Sequence, residues 1–155
     1  MSELKKIYSP LTGRATDITA MADPMFSRKI LGDGVAIEPY EGRIYAPFDG
    51  EMRVIPATKH ALGLKAKDGT ELLIHIGTDT MKLAGEGLFP RVRQGQCFKR
   101  GELIMEFDIE RLKSLGYSVT TPIIITGAGN VQNMIKHMGD MTHGETVVME
   151  YKLNI

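Results

Sequence analysis

A chain of 155 residues, 43% of them hydrophobic and 25% charged, can bury the core of one ordinary globular domain and is too short for two, so residues 1–155 read as a single domain. Its 19 basic and 19 acidic residues cancel, which excludes the positive excess that draws proteins to nucleic acid or to anionic membranes. The lone Cys97 excludes an intrachain disulfide framework and suits a reducing compartment. "MSELKKIYSPLTG" has no apolar leader and no run approaches the roughly 18 residues of a membrane span, so a cytoplasmic location is expected.

From the N-terminus, "YSPLTGRATDI" at Tyr8 returns as "YAPFDGEMRVI" at Tyr45, with a weaker echo in "TTPIIITG" at Thr120. Either strand-and-turn segments coincide by chance or the domain is an internally duplicated β-structure. Short apolar or alternating runs follow in order: "GVAIEP", "GRIYAP", "EMRVI", "ALGLKA", "ELLIHI", "ELIMEF", "PIIIT" and "ETVVMEYKL". Each is bounded by turn-forming residues, the pattern of an antiparallel sandwich or barrel. Helical patterning is confined to "DIERLKSLG", with Asp108 as N-cap and Gly116 as stop, and to "NVQNMIKHMG", ending at Gly139.

"HALGLKAKDGTELLIHIG" holds the strongest hairpin signal in the chain, Asp68-Gly69, a pair suited to a two-residue type I′ loop. With those two as the loop, Leu64 faces Leu73, Leu62 faces His75 and His60 faces Gly77. His60 and His75 then lie diagonally on one face, about 7–8 Å apart. Gly77 leaves room above them, and Thr58 and Asp79 add a hydroxyl and a carboxylate to the same face by alternation. A three-residue loop would reverse the parity. A neutral imidazole is both a nucleophile and a metal ligand, so the pair could take a phosphoryl group or a metal ion. His137 and His143 flank a loop and read as solvated.

At these residues the chain resembles the glucose-type IIA domains of the bacterial phosphoenolpyruvate-dependent sugar phosphotransferase system. "ATKHALGLKAKDGTELLIHIGTDTMKLAGEG" looks like that family's signature, and "FSRKILGDGVAIEP", "GRIYAPFDGEM" and "TTPIIIT" match its remaining blocks in order. The resemblance implies an all-β fold, an antiparallel Greek-key sandwich of the duplicated barrel-sandwich hybrid kind with two short helices. It implies a phosphotransferase component in which His75 takes a phosphoryl group from phospho-HPr and passes it to a IIB domain. His60 would then be the partner imidazole, Thr58 the residue orienting a histidine, Gly77 and Asp79 residues that shape the site, and Met25, Phe26, Leu73 and Met81 an apolar docking rim. No cofactor is required on this reading, although His60 and His75 could share zinc at a partner interface, and regulatory partners could read the phosphorylation state. Leu88-Phe89 departs from the family pattern and shifts an aromatic by one position.

Two other classes remain open at this level. A lipoyl or biotinyl carrier matches the rhythm of "VRQGQCFKRGELIMEFD" and would use Lys67, whose flanks do not fit. A zinc hydrolase of the duplicated-hybrid kind matches the spacing of His75 and Asp79 but needs a His-x-His pair that the chain lacks.

Overall fold

In a computed structural model, which describes residues 4–126 and 131–154, the chain alternates short strands with tight turns. In order these are β1 (Lys5–Tyr8), β2 (Gly13–Asp17), α1 (Pro24–Ser27), β3 (Asp33–Pro39), β4 (Arg43–Tyr45), β5 (Gly50–Val54), β6 (Ala61–Ala66) and β7 (Glu71–His75). They continue with β8 (Leu88–Pro90), β9 (Cys97–Phe98), β10 (Leu103–Phe107), α2 (Ile109–Ser114), β11 (Thr121–Thr126), β12 (Val131–Lys136), β13 (Gly139–Met141) and β14 (Val147–Leu153). Among the described residues all the strand pairings are antiparallel, in sheets ordered β1-β14-β12, β4-β10-β8 and β13-β2-β3-β11-β7-β6-β5-β9. Alternation decides what each strand buries. Along β6 and β7, Leu62, Leu64, Leu72 and Ile74 face a core shared with Ile37, Ile44, Met52, Ile104 and Ile123. Each such side chain contributes about 1.5–3 kcal/mol by leaving water.

The repeated segments interlock. Tyr8 N–H donates to the Pro47 carbonyl (3.3 Å), and Tyr45 N–H donates to the Pro10 carbonyl (2.8 Å). The residue after each tyrosine makes the same pair of contacts. Ser9 exchanges hydrogen bonds with Thr146 and Gly144, and Ala46 does so with Glu102 and Gly101. Gly13 and Gly50 each open a strand so close to its neighbour that an added Cβ would lie 2.2 Å from a carbonyl oxygen, of Glu38 and Lys65 respectively. This equivalence of bonds favours duplication over chance.

The β6–β7 hairpin departs from the expected register by one residue. Ala61 faces His75, Leu62 faces Ile74 and Lys65 faces Glu71. The loop has three residues, Lys67, Asp68 and Gly69, closed by Ala66 N–H to the Thr70 carbonyl (2.9 Å). Gly69 N–H donates to the Ala66 carbonyl (3.0 Å), and only Gly69 takes a positive φ, of 93°. A type I′ loop needs positive φ at both central residues, whereas a three-residue loop needs it at one. Asp68 settles the choice: its carboxylate accepts from Thr70 N–H (2.9 Å) and from the Tyr151 hydroxyl on β14 (2.6 Å).

The helix at Asp108 forms as expected, with the Asp108 side chain accepting from Arg111 N–H (3.1 Å) and Leu112 buried beneath it. "NVQNMIKHMG" does not form a helix. Its first residue, 130, lies outside the described residues, and the rest supplies β12, paired with β14. Val131, Met134, Ile135 and Met138 have helical spacing, but Asn133 at φ 52° makes a bulge that inserts one residue and reverses the parity. Val131, Met134 and Lys136 are then all half-buried. Lys136 joins this sheet to the large one through Asp17 (2.9 Å) and Asp33 (2.8 Å). Its hydrogen bond, aided by the Thr19 amide, lowers the Asp17 carboxyl to about 2. The second short helix is instead α1, announced by Asp23 as N-cap and Pro24 in the first turn.

Candidate active site

His75 is the last residue of β7, on the face opposite Leu72 and Ile74, and His60 lies just before β6. In extended strands, a register that sets Ala61 against His75 would put the two histidines on opposite faces. They nevertheless meet, with ring centroids 4.9 Å apart and planes at 76°. Both sit where the extended backbone ends. Lys59 before His60 is left-handed at φ 59°, and Gly77 after His75 has φ 67°. His75 keeps the alternation of β7, sharing the face of Leu73, whereas His60 precedes β6 and escapes the alternation of that strand.

Each ring is held from behind. The His75 Nδ1 lies 2.7 Å from the Gly77 carbonyl oxygen. A carbonyl only accepts, so Nδ1 carries the proton and the Nε2 lone pair is free. The His60 Nδ1 lies 2.6 Å from the Thr58 hydroxyl, in the turn closed by Lys59 N–H to the Pro56 carbonyl (2.8 Å). β6 does not extend to Thr58, so this turn rather than strand alternation brings the hydroxyl to the ring. Burial lowers the His60 pKa. Burial also lowers that of His75, opposed by the hydrogen bond to Gly77 and by the charges of Asp23 and Asp79, and reinforced by His60. Both imidazoles are thus neutral at neutral pH, the nucleophilic form.

Gly77 does not leave open room above the pair. An added Cβ there would lie 2.2 Å from the Ser118 carbonyl oxygen and 3.0 Å from the Thr80 methyl. Gly77 is needed because two backbones touch, and it serves the site through its carbonyl. Asp79 is exposed and left-handed at φ 60°, close enough for its charge to act on His75.

Of the four residues expected at the rim, Met25 and Met81 are 43% and 41% exposed. Phe26 is not at the rim: at 3% exposure it lies against His75, ring centroids 5.1 Å apart. α1 turns it into a small cluster with Ile18, Met21, Ala36 and Ile124, on which half-buried Leu73 packs. Beside the histidines a groove of about 340 Å³ runs along the outer face, lined by Val54, Pro56, Ala61, Gly63 and Leu73 among others. A larger cleft of about 520 Å³, around Lys65, Lys67 and Cys97, lies away from them. The other histidines stay apart. His137 is exposed and 2.9 Å from Glu150, but His143, expected in solvent, is half-buried and stacked on Tyr45 at 3.8 Å.

Asp23, Thr80 and Ser118 act on the site and are absent from the sequence reading. Asp23 was legible as a helix cap ahead of a proline. Thr80 and Ser118 act through tertiary contacts that no local pattern encodes. Among the described residues no group of three or more His, Cys, Asp or Glu could hold a metal ion. His60 and His75 would supply only half of a tetrahedral zinc shell.

Residues 5–131 match the family model described as phosphoenolpyruvate-dependent sugar phosphotransferase system, EIIA 1. The chain is 43% identical over 143 residues to the PTS system glucoside-specific EIICBA component of Staphylococcus carnosus (strain TM300). That match covers 92% of this chain and 21% of the relative, so the chain spans about a fifth of the relative's length. Among solved structures it is similar to glucose permease IIA from Mycoplasma capricolum, with 32% identity, 96% of each chain covered and a TM-score of 0.85. The β-sandwich of that protein is the fold of this one. These matches lend no support to a lipoyl or biotinyl carrier or to a zinc hydrolase.

Proposed function

Because the chain belongs to the EIIA 1 family of the phosphoenolpyruvate-dependent sugar phosphotransferase system, we propose that it is a IIA phosphohistidine carrier that takes a phosphoryl group from phospho-HPr and delivers it to a IIB domain. The observation that carries this reading is the His75 hydrogen bond to the Gly77 carbonyl, which leaves Nε2 unprotonated beside a second imidazole. The Nε2 lone pair attacks phosphorus, and the bond from phosphorus to the donor atom breaks with its electron pair staying on the donor. Delivery reverses this at the acceptor, and Nδ1 keeps its proton throughout. Such transfer asks for in-line positioning and stabilisation of the equatorial oxygens rather than covalent chemistry from the protein. The Thr58 hydroxyl, 2.6 Å from Nδ1 of His60, would donate to it, so that Nε2 of His60 carries the proton and donates to a phosphoryl oxygen.

Exposed Met25 and Met81, with half-buried Leu73, would form the apolar margin against which partners close and exclude water. Phosphorylation brings a charge of about −1.5 to −2 to that margin, which would repel regulatory partners fitted to the unmodified form. No step passes through a metal. Zinc would need further ligands from a partner. No described helix is long and apolar enough to cross a membrane, in keeping with a domain working at the cytoplasmic face of a permease.

The test is transfer of label from phosphoenolpyruvate through Enzyme I and HPr. We expect an acid-labile, base-stable adduct on the wild type, none on His75→Ala, and on His60→Ala an adduct that forms but does not move on. A wild type that takes no label from a working relay would end the proposal.

A further inference from the structure

Thr80 is fully buried, and its side chain is polar. Its hydroxyl donates to the Ile76 carbonyl, four residues back, and its methyl abuts Gly77. Gly77 is thereby held at three points. The carbonyl preceding it is bonded by Thr80, its Cα is wedged between the Thr80 methyl and the Ser118 carbonyl, and the N–H of Thr78 donates to that same carbonyl (3.3 Å). The Gly77 carbonyl itself points at Nδ1 of His75. Asp79, which opens the turn containing Thr80, is left-handed and makes no side-chain cap of its own. The Thr80 hydroxyl is therefore the side-chain hydrogen bond that ties this turn back to the end of β7.

We propose that Thr80 is a positioning residue for phosphoryl transfer: by fixing the peptide plane that precedes Gly77, its hydroxyl keeps the Gly77 carbonyl aimed at Nδ1 and so selects the His75 tautomer that leaves Nε2 nucleophilic. This rests on the phosphocarrier reading for its consequence, but the tautomer can be read without any transfer. A carbonyl that swings away from Nδ1 no longer holds the proton there. The proton can then occupy Nε2, and that fraction of the protein cannot attack phosphorus.

Thr80→Val keeps the shape and removes the hydroxyl, and Thr80→Ser keeps the hydroxyl and removes the methyl. Ring nitrogen–proton correlation spectra at a pH above the His75 titration report which nitrogen is protonated. We expect Nδ1–H in the wild type and in Thr80→Ser, and a mixture with Nε2–H in Thr80→Val. Label uptake from phospho-HPr should slow about tenfold in Thr80→Val, the effect of losing one ordinary hydrogen bond from the reactive arrangement, and stay near wild type in Thr80→Ser. A wild-type tautomer in Thr80→Val would overturn the proposal. So would an Nε2-protonated His75 in Thr80→Ser; where Thr80→Val does not fold, the smaller Thr80→Ala also lacks the hydroxyl, and a wild-type tautomer there would equally overturn the proposal. If the wild type shows Nδ1–H yet takes no label, the carrier reading fails while the tautomer result stands.

Discussion

Gly77→Ala perturbs the stability of the fold and the site together. Alanine at φ 67° costs about 1–2 kcal/mol relative to glycine in the left-handed region. The new methyl would start 2.2 Å from the Ser118 carbonyl oxygen, so one backbone must retreat by about 1 Å to reach ordinary contact. That movement adds an overpacking cost of about 1–3 kcal/mol and weakens the Thr78–Ser118 hydrogen bond. The total is about 4 kcal/mol, a large share of the 5–15 kcal/mol that holds an ordinary domain together. With a urea slope of about 2 kcal/mol per molar, the unfolding midpoint should fall by about 2 M. The same retreat draws the Gly77 carbonyl from His75, so folded Gly77→Ala should also take up phosphoryl label more slowly. A midpoint shift under about 0.5 M with an unchanged slope would mean that the 75–80 turn yields freely, and the account of how His75 is held would be wrong.

The histidines should titrate low. Burial disfavours their charged form, so an NMR titration should place His75 and His60 below the ordinary value of about 6.5, and His75 should accept label with a midpoint shifted the same way. Because their folded pKa is depressed, stability falls as pH drops from about 6.5 through the folded values; a midpoint at or above the ordinary value contradicts this. Tyr151→Phe removes the hydroxyl bonded to Asp68. Burial pushes that carboxyl up, but the bonds from Tyr151 and Thr70 outweigh it and leave it below the usual range. The loss should be about 1 kcal/mol at neutral pH, small for a bond to a charge because Asp68 is exposed. The bond's contribution is complete above the ordinary carboxyl pKa and disappears as pH falls through the folded one, so melting curves of the two proteins should converge in acid. A gap that persists at pH 2 would place the effect elsewhere.

Much of the fold is legible in the sequence because strands such as β2 and β7 alternate, buried β3 and β11 are short apolar runs, and turn-forming residues separate them. Where the reading fails, a distant residue overrides a local signal. Asp68-Gly69 fits a two-residue loop until Tyr151 claims the Asp68 carboxylate, and residues 131–136 read as helical until β14 needs a partner. The histidine pair is an instructive case. A two-residue loop would set His60 and His75 on one face, but that loop does not form; they converge because left-handed Lys59 turns His60 out of the strand pattern toward the end of β7. Local composition marks the histidines as unusual, and the resemblance pairs them; the geometry that makes them meet lies in backbone dihedrals at strand ends. Phe26 shows the converse: an aromatic expected to greet partners is packed against the imidazole it was expected to surround.

The reciprocal bonds between the Tyr8 and Tyr45 segments bear on how the molecule comes into being. During synthesis Lys5–Tyr8 has no strand partner until Val147–Leu153 exists, and Ser9 waits likewise for residues 144 and 146. Neither half can finish and serve as a template for the other. Such long-range closure makes for slow folding, in the range of milliseconds to seconds for all-β domains. Through that interval the Lys5–Tyr8 strand lies unpaired and open to wrong partners.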